Sequence, residues 1–286
     1  MTNIGRNSPC PCASGKQYER CCAERSQPGF DLQRIVGISL NPKEKRFVYV
    51  TNDILLNQLR RESLEIAESF DRLHEADLRE MSQLLGSVIF LLWTGFRQVN
   101  LKGDELRAVG ARLIFNAANT FVGAATLLRN GLYLQASMLV RSILESIAAV
   151  IHLVTTPSDL QRFKEGKIKT SAILAGAKKV FPVIGRIHGM FSESFLHLSS
   201  FHVTLQPVQL YDGQSEEVNA NLSFLRASVW LLYVAVELLF LDMLEVRKYW
   251  RPIGNGQVAY EPSEETLKWE EKFLGSRGYP SADAER

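Results

Sequence analysis

The stretch that decides the fold runs from Asp104 to Thr155: DELRAVGARLIFNAANTFVGAATLLRNGLYLQASMLVRSILESIAAVIHLVT. Its apolar residues recur at helical spacing, with little period-2 alternation, and Asn130-Gly131 splits it into two helices. A turn that short makes the two helices antiparallel neighbours. At ~100° per residue, Arg112, Asn116 and Asn119 fall within about 40° of one line on the first helix. Leu113, Ile114, Phe115, Phe121 and Val122 fill the other faces. Arg141, Glu145 and His152 align in the same way on the second helix, among Ile143, Leu144, Ile147 and Ile151. A helix that is apolar nearly all round is expected to be buried. These polar lines therefore predict either a satisfied core network or a lined cavity.

The same periodicity extends outward. It predicts helices at about 43–76, 78–101, 104–130, 132–155, 159–166, 169–180, 186–202 and 216–250. Pro42 after Asn41 reads as a first helical turn. The last long helix carries a third polar line, Arg226, Tyr233 and Glu237, amid Trp230, Leu231 and Leu232. The expected fold is all-α, an antiparallel helical bundle over residues 42–251. Residues 252–286 read as an extension with one Ser263-capped helix and a disordered tail, and residues 25–41 as a linker.

The 286 residues are 46% hydrophobic and 22% charged, with a net charge of +2. Those values exclude a disordered or fibrous chain and are too balanced for an obligate nucleic-acid binder. Residues 159–190 hold seven basic groups against two acidic ones. A solvated face is favoured there over phosphate contact. The N-terminus has no apolar run of signal type, and the apolar 222–241 stretch carries Arg226 and Glu237. The expectation is a cytoplasmic protein with no membrane span.

All four cysteines lie in the first 22 residues, within GRNSPCPCASGKQYERCC, Gly5–Cys22. Cys10, Cys12, Cys21 and Cys22 form the spacing C-x-C-x8-C-C. Four thiolates suit a closed tetrahedral zinc site. Pro9 and Pro11 stiffen the first pair, and Gly15 permits the turn that returns the second. In a reducing compartment, such a cluster binds metal more readily than it forms disulfides. One structural Zn²⁺ per chain is expected, in a knuckle over residues 1–24.

This segment resembles the SEC-C motif, the zinc knuckle of the SecA translocation ATPase and of many bacterial proteins. It keeps the G-R-N, P-C-P-C, S-G-K-x-Y and C-C elements. Ser8 and Ala13 depart from the usual acidic residue and Gly. No Walker-type loop accompanies it, so the chain is not the translocase. The resemblance implies Cys10, Cys12, Cys21 and Cys22 as ligands, and a protein partner docked through the knuckle.

The Leu128–Leu153 segment is similar to uncharacterised bacterial helical domains with an R-S-x-x-E element, sometimes compared to HEPN bundles. Here that element is Arg141–Glu145, with a later L-S-x-x-H element ending in His202. Many HEPN domains are ribonucleases carrying R-x4-6-H. No such spacing occurs here, which weighs against nuclease activity. His188, His197 and His202 lie 9 and then 5 residues apart, which does not put them on one helix face.

The function expected from the sequence is a zinc-binding bacterial protein whose knuckle is an interaction handle. Its helical body is a dimerisation or sensing module, with a homodimer as a further partner option. The alternative is a HEPN-like RNA-directed nuclease, or a defence or stress effector, using Arg141, Glu145 and His202. No recognised catalytic motif favours that alternative.

Overall fold

The structure is a computed structural model and describes residues 34–42, 45–98, 103–191, 208–213, 215–254 and 257–274, with residues 7, 8, 17 and 20. The chain divides into two compact units, Met1–Ser63 and Leu64–Arg286.

The first unit contains an antiparallel hairpin of β1, Ile35–Asn41, and β2, Arg46–Thr51. Ile38 faces Tyr49 and Leu40 faces Phe47 across it, with a bulge between Ile35 and Gly37. The Asn52 N–H closes its open end on the Arg34 carbonyl at 2.8 Å. This corrects the helix expected to begin at 43 and the part of the expected 25–41 linker that spans 35–41; residues 25–33 lie outside the described residues. Val36, Ile38, Phe47, Val48, Tyr49 and Val50 are β-branched or aromatic and favour a pleated strand. Pro42 sits in the turn rather than at a helix start, and Lys45 has φ of 51°. Helix begins with α1, Ile54–Asn57, and continues through a π-helical turn at Gln58–Glu62.

One long helix, α2, Ser63–Gln98, replaces the two predicted around residue 77. The expected break survives as a kink at His74, where φ is −126°. Next come α3, Glu105–Arg129, and α4, Tyr133–Thr155. Asp104 caps α3 by accepting the Arg107 N–H at 3.0 Å. Gly131 takes φ of 78° between α3 and α4. Its N–H bonds the Leu128 carbonyl, and the Leu132 N–H bonds the Leu127 carbonyl, each at 2.9 Å. This is the Schellman closure that a left-handed glycine permits. The chain then reverses, and α3 and α4 pack side by side.

Past a 3₁₀ turn at Pro157–Asp159 follow α5, Leu160–Lys164, α6, Thr170–Val180, and α7, Pro182–Phe191. α7 starts at Pro182, four residues before its predicted start, because proline suits the first helical position. The central helix is α8, Glu216–Leu239, capped by Ser215, whose Oγ accepts the Val218 N–H. It packs on both α3 and α4. Its predicted extension to 250 is wrong. The helix ends at Leu239, a 3₁₀ turn spans Leu241–Met243, and β3, Trp250–Gly254, pairs with β4, Gln257–Tyr260. Trp250 and Tyr260 pair across this hairpin and meet Phe181 in an aromatic cluster. Last comes α9, Glu264–Leu274, with Ser263 Oγ accepting the Thr266 N–H.

Among the described residues the fold is therefore all-α with two small hairpins. Ile114, Leu128, Ile143, Leu144, Ile147 and Ile151 are fully buried at the α3–α4 contact and its surroundings. α4 and α8 are long and apolar enough to cross a membrane by length and composition, yet 56% and 78% of their most apolar windows are buried inside the fold. The core-helix reading of 222–241 fits that burial.

Candidate functional site

The four predicted ligands, Cys10, Cys12, Cys21 and Cys22, lie outside the described residues, as do His197 and His202. Within the motif, the Arg20 N–H donates to the Gln17 carbonyl at 3.1 Å, a tight turn directly ahead of Cys21. Among the described residues, no group of three or more His, Cys, Asp or Glu is placed to hold a metal ion.

The polar lines of the helices do not meet in one site. Arg112, Asn116 and Asn119 are exposed, so that stripe is the solvent face of α3. The expectation of a helix buried all round is corrected there. The buried face of α3 is lined by small residues, Ala111, Ala117, Ala118 and Ala124, with Ile114 and Phe121. Phe115 and Val122 are left about half exposed, at 49% and 52%.

On α4, Arg141 Nε donates to Glu145 Oε1 at 2.7 Å, and the two side chains are 34% and 32% exposed. His188 of α7 brings its Nε2 to 4.0 Å from the same oxygen. Burial, reinforced by the Arg141 guanidinium, pushes the His188 imidazole below its ordinary value, against the pull of Glu145. Lys178 of α6 adds a second positive neighbour. The sequence places His188 off any helix face shared with His197 and His202 and gives Lys178 no role at this place. Neither shares a helix with Arg141, so helical projection could not join them.

His152, further along α4, is buried and pairs with Asp159 at 3.0 Å. Asp159 also accepts from Arg162 at 2.9 Å. Gly176 of α6 lies against the imidazole; a Cβ there would come within 2.1 Å of His152 Nδ1. His152 is thus a packing and hydrogen-bonding residue that joins α4, α6 and the 3₁₀ turn.

On α8, Arg226 is 13% exposed and reaches two carboxylates of α2, Asp77 at 2.8 Å and Glu80 at 2.7 Å. Its other terminal nitrogen donates to the Phe273 carbonyl at 2.9 Å, and its guanidinium lies 5.0 Å from the Phe273 ring centre. Asp77 also lies 3.5 Å from the buried His74 at the α2 kink. Glu237 has no exposed surface. Its carboxylate accepts the backbone N–H groups of Lys248, Tyr249 and Trp250 at 2.7 to 3.1 Å. Burial pushes the Glu237 carboxyl up, and those donors oppose the shift. No signal local to α8 names these partners, which come from distant segments.

The basic stretch at 159–190 is partly neutralised. Arg162 pairs with Asp159, Lys164 with Glu105, and Lys167 with Glu165. That pairing suits a solvated face better than a phosphate track.

The SEC-C motif family matches residues 6–24. Over 24 residues, the chain is 62% identical to the protein translocase subunit SecA of Desulforudis audaxviator, covering 8% of this chain and 3% of that protein. Over 19 residues, it is 79% identical to a UPF0225 protein of Photorhabdus laumondii, covering 7% of this chain and 12% of that one. The chain thus spans only a small part of the length of either relative. No solved structure matches it.

Proposed function

We propose that this is a zinc-knuckle interaction protein. Cys10, Cys12, Cys21 and Cys22 bind one structural Zn²⁺, and the knuckle so formed recruits a protein partner in the cytoplasm. Four thiolates close the coordination shell, so the metal orders the backbone rather than activating water. The helical body is a dimerisation or sensing module without chemistry of its own. The SEC-C match over 6–24 supports the knuckle.

The observation that carries the reading of the body is the dispersal of its polar residues. Arg226 and Glu237 each serve distant structural partners, His152 joins three elements, and Arg112, Asn116 and Asn119 face solvent. Catalytic groups would have to converge on one reacting atom. Arg141, Glu145 and His188 approach one another where the pair is one-third exposed. Their proximity is the one feature favouring the alternative, an RNA-directed site built on Arg141, Glu145 and His202.

The test is a capture experiment with the full chain and the Cys21→Ser/Cys22→Ser variant under identical conditions. The reading expects a defined set of partners to be retained by the parent chain and lost with the variant. An unchanged partner set contradicts it.

A further inference from the structure

The helix α2, the helix α9 and the segment ahead of β3 enclose a groove of about 300 Å³. Its floor is Leu84 and Phe273, both buried. Gln83 and Ser87 rise on one side, and Lys248, Trp269 and Lys272 on the other. The volume is at the small end of the range for small-molecule sites.

The lining has a definite chemistry. Glu80, at the edge, pairs with Arg226, which it shares with Asp77. Lys248 holds its ammonium 5.4 Å from the Tyr233 ring centre. Neither Lys248 nor Lys272 is within salt-bridge distance of a carboxylate among the described residues, and Lys248 also lies in the field of the buried Glu237. Two lysines therefore line a groove whose one lining carboxylate is paired with Arg226. Trp269 stacks on Phe273 with ring centres 4.9 Å apart and planes 9° from parallel. The indole is backed on one side yet 39% exposed.

The groove is also held in shape by two charged side chains of α8, the buried Glu237 and the largely buried Arg226. Arg226 ties Glu80 of α2 to the Phe273 carbonyl of α9. Glu237 fixes the backbone of Lys248. Buried charges add little net stability, but they can specify one geometry. Here both specify the walls of the same concavity.

We propose that this groove binds a small planar aromatic anion, its ring against Trp269 and its phosphate or carboxylate between Lys248 and Lys272. The ring gains stacking on a rigid indole face, and the anion gains charge-assisted hydrogen bonds. The proposal does not depend on the knuckle.

The experiment is calorimetric titration of the full chain with four probes. Adenosine monophosphate and 1-naphthoate supply a ring with a phosphate or a carboxylate; adenosine and inorganic phosphate supply one half each. Saturable binding of at least one aromatic anion is expected, at about 10–100 µM and roughly tenfold tighter than either half probe. Whichever aromatic anion binds tighter identifies the anionic group. Lys248→Ala and Lys272→Ala are each expected to weaken it about tenfold. Both lysines are exposed, so the variants should keep the parent melting temperature. Trp269→Ala should remove the advantage over inorganic phosphate. The proposal is overturned if neither aromatic anion saturates at about 10 mM, if phosphate alone binds as tightly, or if the double lysine variant binds unchanged.

Discussion

The carboxylate of Glu237, buried within α8, accepts the backbone N–H of Tyr249 at 2.7 Å. The same carboxylate also takes the N–H groups of Lys248 and Trp250. A single helix side chain thus anchors the start of β3 and, with it, the aromatic cluster of Tyr249, Trp250 and Tyr260.

Replacing that anchor should be costly. Glu237→Ala leaves three backbone donors without their acceptor and is expected to destabilise the fold by about 3–5 kcal/mol. Glu237→Gln keeps one acceptor oxygen and should cost less. Urea unfolding of both variants measures the difference. Equal stability of the Ala variant and the parent would contradict the anchoring role.

Gly176 is a packing position. A Cβ there would overlap the His152 ring, which is itself held by Asp159. Gly176→Ala should destabilise by about 1–3 kcal/mol, since either α6 or the imidazole must shift. A thermal melt reads it directly. A gain in stability, as expected from an unhindered helical Gly→Ala change, would show that α6 does not approach α4 so closely.

His188 makes stability depend on pH. Its folded-state value is lowered, by burial first and then by Arg141. The unfolded chain therefore binds this proton more readily than the folded one. The contribution is fully present above the unfolded value of about 6.5 and is lost as pH falls through the lower folded value. Unfolding free energy should thus decline as pH falls from about 7 into the acid range, and His188→Gln should flatten that decline. A decline of the same size in the variant would assign it to other groups.

The Arg141–Glu145 pair is one-third exposed, so its removal should be mild. Arg141→Ala/Glu145→Ala is expected to cost less than about 1 kcal/mol. Purified parent and variant should both leave RNA intact. RNA cleavage by the parent that disappears with Arg141→Ala at unchanged stability would establish the nuclease reading.

Helical periodicity was legible wherever one segment determined its own structure. The α3–α4 hairpin, the Asp104 and Ser263 caps and the Gly131 turn all follow from residues close together in sequence. The β1–β2 hairpin was hidden because its turn carries Pro42, which also suits a helix start. Val48 and Val50 add apolar residues to the second face of β2, which blurs the alternation. The end of α8 was misplaced because Phe240, Leu241 and Tyr249 continue the apolar pattern past Leu239.

The polar residues were harder to interpret for a different reason. Projection onto a helix gives an angle but not a neighbour. It grouped Arg112, Asn116 and Asn119 correctly as one stripe, yet could not say that an Ala-rich face would turn inward and leave that stripe in water. It found Arg226 and Glu237, but their partners Asp77, Glu80 and Lys248–Trp250 are supplied by tertiary packing. The groove that both residues shape is visible only once α2, α8 and α9 are assembled.

The most direct measurement is the zinc content of the intact chain purified without chelators, alongside Cys21→Ser/Cys22→Ser. About one zinc per chain is expected in the parent and none in the variant, with the melting of the helical body unchanged. A parent chain without zinc would contradict the proposed knuckle, and an equal zinc content in the variant would contradict its ligand set.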